Sequence, residues 1–263
     1  MMEQLLLQVE ILWPALVAGL LVLATHVPLG REVLQRGIIF LDLAIAQIAA
    51  FGVVIANTIL QSHEGDSHVP PTLAAITAAI IGSMVLYRLR KLEIRVQEAI
   101  IGIFFILAAT GSILLLSTDP HGGERLKEIL VGQILWIQLS DLISLALATA
   151  AILASWIWLR EKFGVWLFYP LFAVTITLST QVVGVYLVFA SLIIPSLATL
   201  RHTRPVTKAF VLGAVGYLGG LLISALFDLP AGAAIVWSLV LVAFIYYVVC
   251  VLLKRKQQLT EQR

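Results

Sequence analysis

Charge is scarce in these 263 residues: Asp, Glu, Lys and Arg make up 12% of the chain, about half the roughly 25% usual in a soluble globular domain. With 60% of residues hydrophobic, an ordinary water-soluble fold is excluded. The single cysteine, Cys250, rules out an intrachain disulfide and a thiolate metal cage. A formal net charge of +2 is too small to point to nucleic acid. The chain contains no GxxxxGK(S/T) phosphate loop, no HExxH and no GxSxG, and no apolar run holds a histidine–carboxylate cluster. Catalysis is therefore not expected of it, and any nucleotide energy must come from another chain. The first ten residues carry Glu3 and Glu10 but no Lys or Arg. A signal peptide needs a positive leading region, so the first apolar run is read as a retained span.

What the chain does have is long apolar runs. A bilayer core about 30 Å thick takes about 20 apolar residues in a helix. Such runs lie at 11–29, 37–60, 71–87, 97–117, 137–159, 164–181, 183–200, 208–227 and 232–253. Lipid cannot satisfy an open strand edge, and the ten-residue alternation of barrel strands is missing. The expected fold is all-α, a polytopic integral membrane protein with eight or nine transmembrane helices. The two runs between Phe163 and Arg201 are separated only by a tight turn at 181–184, so one of them can be partial or re-entrant. No loop exceeds about ten residues, which leaves one transmembrane domain over 1–263 with a short polar tail at 254–263.

The basic residues order these spans. Arg31, Arg36, Arg88, Arg90, Lys91, Arg95, Arg160, Lys162, Arg201, Arg204, Lys208 and the tail Lys254, Arg255, Lys256 and Arg263 fall on one side of a nine-span arrangement, against Arg125 and Lys127 on the other. Positive loops stay cytoplasmic, so the N-terminus is expected outside and the tail inside.

Polar residues inside apolar runs are the functional candidates. Asp42 and Gln47 interrupt an alanine-rich helix, where a carboxylate costs about 2.5–3.5 kcal/mol to insert near the centre. Five residues apart, they are offset by about 140° and do not form a ready-made ligand pair. Asp42 can instead cap the helix or pair with Arg36, and Gln47 can join helices by hydrogen bonding. In the outer loop, His63, Glu64, Asp66 and His68 bring imidazole and carboxylate together, a set suited to collecting divalent metal; a solvated polar turn is the alternative. His121, Asp119 and Glu124 lie on the same side. His26 and His202 read as structural, Glu98 as an ion-pair partner of Arg95, and Asp141 as an N-terminal cap. Gly213, Gly216 and Gly220 offer close helix packing, within one chain or between two copies. Pro195 interrupts an apolar helix ahead of a basic loop, either kinking it or presenting a short docking element to another protein.

Four segments taken in order, QEAIIGIFF at 97–105, LVGQILWIQLSDL at 130–142, VVGVYLV at 182–188 with LIIPS at 192–196, and GGLLISALFDLPAG at 219–232, resemble the integral permease subunits of ATP-binding-cassette importers for zinc, manganese and iron. The resemblance implies a transport subunit rather than an enzyme. Its substrate would be a divalent metal ion, zinc first and manganese or iron next, carried across the inner membrane. No covalently bound cofactor is implied, and ATP would sit on a cytoplasmic ABC ATPase. The other implied partners are a second copy of this chain, an external metal-binding protein and the lipid bilayer, with no nucleic acid. By the same likeness Pro195, Ser196, Thr199, Arg201 and Arg204 would dock the ATPase, and Asp42 and Gln47 would line the metal path. The family's second span typically carries an Asp-Ala-Leu-Ser-His run; aligned on Phe40-Leu41 and Gly52, its Asp falls on Leu43 and its His on Gln47. An ion-coupled secondary carrier and a non-transporting membrane scaffold are the alternatives. The carrier would usually show an inverted repeat, and none is seen.

Overall fold

The computed structural model describes residues 2–57, 70–117, 119, 121–200 and 202–261, with side chains described between 10 and 252. Its regular elements are all helical. They are α1 (Met2–Arg36), α2 (Leu41–Ile55), α3 (Pro71–Arg88), α4 (Ile94–Leu116), α5 (Gly122–Val131), α6 (Leu139–Phe163), α7 (Val165–Val183), α8 (Val185–Thr199), α9 (Pro205–Phe227) and α10 (Ala231–Glu261). Among the described residues seven helices, α1, α3, α4, α6, α7, α9 and α10, are long and apolar enough to cross a membrane. The expected count of eight or nine is not confirmed by length and apolar composition alone. α8 has 15 residues, about 22 Å at 1.5 Å per residue, short of a 30 Å core, and α2 is described over 15 residues ahead of a stretch that is not described.

Three further expectations are corrected. α1 does not end near residue 29: it runs through Pro28 to Arg36, so Arg31 is helical rather than in a loop. The region expected as an outer loop contains a helix, α5, whose Leu126, Ile129 and Leu130 repeat at three- and four-residue spacing while Glu124, Arg125, Lys127 and Glu128 are exposed. It is amphipathic and half the length of a span, so a search for apolar runs passes over it. Finally, Pro195 does not break α8, which is continuous across it.

α1 runs through the middle of the bundle, packed on α6, α8 and α9. Small residues set its approach distances. A Cβ on Gly19 would lie 2.2 Å from the Tyr217 ring, and one on Gly30 would lie 2.1 Å from the Leu192 carbonyl oxygen. The glycine stripe of α9 serves packing within the chain: Cβ atoms on Gly213, Gly216 and Gly220 would fall 2.6, 2.5 and 2.3 Å from Leu23, Leu239 and Ile235. Fully buried Tyr217 keeps its hydroxyl satisfied by Ser191 Oγ at 2.8 Å, and Ser191 in turn donates to the Leu187 carbonyl. Burying a phenol without such a partner would cost about 1–3 kcal/mol.

The two ends of the bundle differ in chemistry. One is basic and aromatic: Arg36 lies over the Phe168 ring at 4.6 Å, Arg90 over Tyr87 at 4.2 Å, and Tyr87 meets Tyr169 edge-on at 5.4 Å. Here α1 passes to α2 through Gly37, and Glu98 accepts the Ile39 N–H at 3.0 Å. Glu98 therefore secures the α1–α2 connection rather than pairing with Arg95. At the other end three glycines close the backbone. A Cβ on Gly132 would sit 2.2 Å from the Val183 carbonyl carbon, one on Gly184 2.4 Å from Gly132 N, and one on Gly232 2.6 Å from the Val131 carbonyl oxygen. Gly132 and Gly184 also have φ near +73° and +80°, which a side chain would strain. The end of α5, the α7–α8 junction and the start of α10 are thus pinned together.

Candidate translocation cleft and outer cavity

α2 decides where its polar residues point. It packs on α3 and α4, so close to α3 that Gly52 has no room for a Cβ, which would lie 2.7 Å from Ala78. That packing fixes the helix rotation. Leu43 and Gln47, one turn apart, face a cleft of about 650 Å³ walled by α2, α4, α5, α8 and α10. Among the described residues no charged side chain lines this cleft; Gln47 supplies an amide in a wall otherwise made by Phe105, Phe189, Val236, Trp237 and similar side chains.

Asp42 is not brought to that wall. It is 1% exposed in the first turn of α2, where its Oδ1 accepts the Leu43 N–H at 2.8 Å and its Oδ2 has no partner among the described residues. Arg36, its alternative partner, is engaged by Glu32 one turn back on α1. The offset of the two α2 candidates is thus preserved in the fold, with Gln47 on the cleft and Asp42 inside the protomer.

A separate cavity of about 330 Å³ opens between α2, α3, α5 and α7 at the glycine-pinned end. Its polar side chains are Thr72, Glu128, Gln133, Thr177, Thr180 and Gln181. Thr72 donates to Gln181 Oε1 at 3.1 Å, joining the start of α3 to the end of α7. A neighbouring depression shares Thr72, Gln133 and Gln181 and adds Asp141. Asp141 acts from the third helical position of α6, accepting the Gln138 N–H at 3.4 Å, so Gln138 rather than Asp141 holds the N-cap position. Sequence reasoning missed this cavity. The stretch 175–181, TITLSTQ, is a dense set of hydroxyls and an amide within an apolar helix, and that is the signal that could have found it.

Of the remaining candidates, His63, Glu64, Asp66 and His68 lie outside the described residues, as does Arg201. No group of three or more His, Cys, Asp or Glu that could hold a metal ion occurs among the described residues. Between α4 and α5 Asp119 is paired with Arg125 at 3.2 Å and accepts the His121 N–H. His26 is fully buried, with Nδ1 2.9 Å from the Val22 carbonyl and Nε2 without a protein partner. Pro195, Ser196 and Thr199 are buried: Ser196 donates to the Val27 carbonyl at 3.3 Å, and Thr199 to the Pro195 and Pro205 carbonyls. The exposed part of this connection is Thr203, Arg204 and then Val206 to Lys208.

The sequence profile of the ABC 3 transport family matches residues 8–173 and 165–250. The chain belongs to the ABC 3 transport family. It is a multi-pass membrane permease, a transport subunit of the ATP-binding-cassette type. Its curated relatives include the high-affinity zinc uptake system membrane protein ZnuB of Haemophilus influenzae, 25% identical over 250 residues covering 86% of this chain and 93% of the relative. A probable iron transport system membrane protein of the same organism is 27% identical, covering 88% and 90%. Among solved structures, PsaBC from Streptococcus pneumoniae in complex with Fab shares the fold at a TM-score of 0.73 and 20% identity, over 94% of this chain and 95% of that one.

Proposed function

We propose that this permease carries a divalent metal ion inward across the inner membrane, as two copies served by separate cytoplasmic ABC ATPase subunits and by an external metal-binding protein. The family match along nearly the whole chain carries the reading. The relatives support metal as cargo: one is named for zinc and one for iron. The missing phosphate loop supports hydrolysis of ATP on another chain. The apolar cleft beside Gln47 suits closure by a second copy, since a 650 Å³ opening lined by Phe189, Val236 and Trp237 gains by leaving water or lipid for protein. Docking of the ATPase falls to the exposed Arg204 and Lys208, with Pro195, Ser196 and Thr199 supporting them from within.

Nine passes, counting α2 and counting α8 as a short helix shielded by its neighbours, put the basic, aromatic end in the cytoplasm and the N-terminus outside. Labelling single cysteines in a Cys250→Ser background tests this: Glu124→Cys should react from outside and Lys208→Cys only after permeabilisation. The test of the function is to tag the chain in its host, extract it in mild detergent and identify stoichiometric companions by mass spectrometry. Recovery of an ATPase bearing a phosphate loop, with metal uptake lost on deletion of the chain, is expected. An intact, folded chain that recovers no ATPase overturns it in favour of an ion-coupled carrier or a scaffold.

A further inference from the structure

Cations at the α3–α4 connection outnumber their partners. Between 88 and 96 the chain carries Arg88, Arg90, Lys91 and Arg95 against a single carboxylate, Glu93. All five are exposed, and among the described residues none of them forms an ion pair, whereas Arg36 and Arg125 are held by Glu32 and Asp119. The connection contains one 3₁₀ turn, Leu89–Lys91, where residues three apart stand one above the other, so Lys91 follows Arg88 on the same side. That side continues down α3: Val85, Ile81, Thr77 and Leu73, spaced by three and then four residues, are all exposed. Thr77 adds no unpaired proton to this row, since it donates to the Leu73 carbonyl at 2.7 Å. α3 packs on α2 and α7, and none of its residues lines the cleft beside Gln47. The row therefore faces lipid whether or not a second copy closes that cleft. Arg90 stands beside the head of the row. Its guanidinium lies over Tyr87, whose ring is fixed edge-on against Tyr169 of α7, and its N–H groups have no acceptor among the described residues.

We propose that this face binds one anionic diacyl phospholipid, its phosphate held by Arg88 and Lys91 with Arg90 beside them and an acyl chain lying along Val85, Ile81 and Leu73. The charge fits: four cations against one carboxylate call for an anion, and a phosphodiester is the anion a membrane offers at the depth where an apolar row ends. The donors fit, because a guanidinium presents paired N–H groups to two phosphate oxygens and the lysine ammonium adds a point charge. The length fits as well. Leu73 to Arg88 is about 22 Å of helix, longer than the ~15 Å of hydrocarbon in one leaflet. Leu92, Ile94 and Val96, exposed among the cations, suit a headgroup layer that takes both kinds of side chain. A soluble partner such as the ATPase could meet the cations but not a row that runs on into the bilayer. Placement of this lipid in the cytoplasmic leaflet rests on the orientation proposed above; its binding does not.

Binding is read on the full chain, purified in a nonionic detergent and mixed with equal amounts of dioleoylphosphatidylglycerol and dioleoylphosphatidylcholine. Native mass spectrometry counts the lipid retained. One phosphatidylglycerol per chain is expected in preference to phosphatidylcholine, weakened roughly ten-fold or more by Arg88→Gln with Lys91→Gln and about three-fold by Arg90→Gln, and not displaced by millimolar inorganic phosphate. The substituted side chains are exposed, so the variants keep the fold, which an unchanged thermal midpoint checks. Equal retention of the two lipids, unchanged retention in the double variant, or displacement by phosphate overturns the site. So does an equal loss from Arg160→Gln with Lys162→Gln at the α6–α7 turn, which would make the effect one of general charge. Full retention by the double variant with loss of the co-purifying ATPase assigns the connection to that partner instead. Lipid retained by a chain that recovers no ATPase would remove the importer reading and leave the site standing.

Discussion

Leu43 and Gln47 show what a single helix face decides. They stand one turn apart on the cleft wall, where two side chains could share one ion, yet they offer it an alkyl group and a weak amide. Leu43→Asp with Gln47→His should give the wall a carboxylate and an imidazole at four-residue spacing. Zinc affinity, measured by calorimetry on the purified chain, is expected to rise at least ten-fold, and either substitution alone should do much less. If the double variant binds zinc no better, the two side chains do not converge on one ion in the cleft. In the core, the contact of Gly19 with Tyr217 should matter more than the Tyr217 hydroxyl. Gly19→Ala forces a methyl into the ring and should destabilise by about 1–3 kcal/mol, while Tyr217→Phe should cost about 1 kcal/mol because Ser191 keeps its bond to Leu187. Thermal midpoints in detergent order the two. Of these residues only Asp42 and Gln47 stand out in the sequence, through polarity in an apolar run. Polarity gives no rotation: which of the two meets the cleft depends on the contact of Gly52 with Ala74 and Ala78 of the next helix, which polarity does not report.

At the scale of elements, apolar length marked every long helix, because insertion into lipid imposes that length. It did not separate α8 from full spans, since composition is the same and only the helix ends differ. α5 escaped for the opposite reason, its charges hiding a helix that the Gly132–Gly184–Gly232 junction holds in place. That junction makes α5 a wall shared by the cleft, through Leu126 and Leu130, and the outer cavity, through Glu128 and Ile129. Gly184→Ala combines a φ near +80° with a Cβ 2.4 Å from Gly132 N, so it should destabilise by about 2 kcal/mol or more. The loss should be local. Hydrogen exchange across 122–132 is expected to accelerate while the first turns of α9 after Pro205, about 34 Å along that helix from its junction-side end, are unchanged; equal acceleration there would mean the junction holds the whole fold and not one element.

For the whole molecule, the difficulty is that lipid-facing and protein-facing surfaces are equally apolar. α4, α6, α9 and α10 all expose large hydrophobic side chains, among them Leu114, Trp158, Leu226 and Trp237, each more than 70% exposed. Exposure alone therefore does not locate a second copy. The proposed second copy is better matched to a concavity: lipid tails fill a flat face readily, whereas the cleft beside Gln47 is recessed between α2, α4 and α10 and is rimmed by Trp237, 77% exposed. A dimer that closes this cleft brings each Trp237 to its counterpart or to the facing wall near Ile113. In a Cys250→Ser background, Trp237→Cys paired with Ile113→Cys should form an interchain disulfide under mild oxidation in membranes, giving a doubled mass that reductant reverses. Trp158→Cys, on a helix remote from the cleft, should stay monomeric under the same oxidant. Cross-linking at Trp158 with none at Trp237 would move the dimer to the α6 face and leave the Gln47 cleft to lipid.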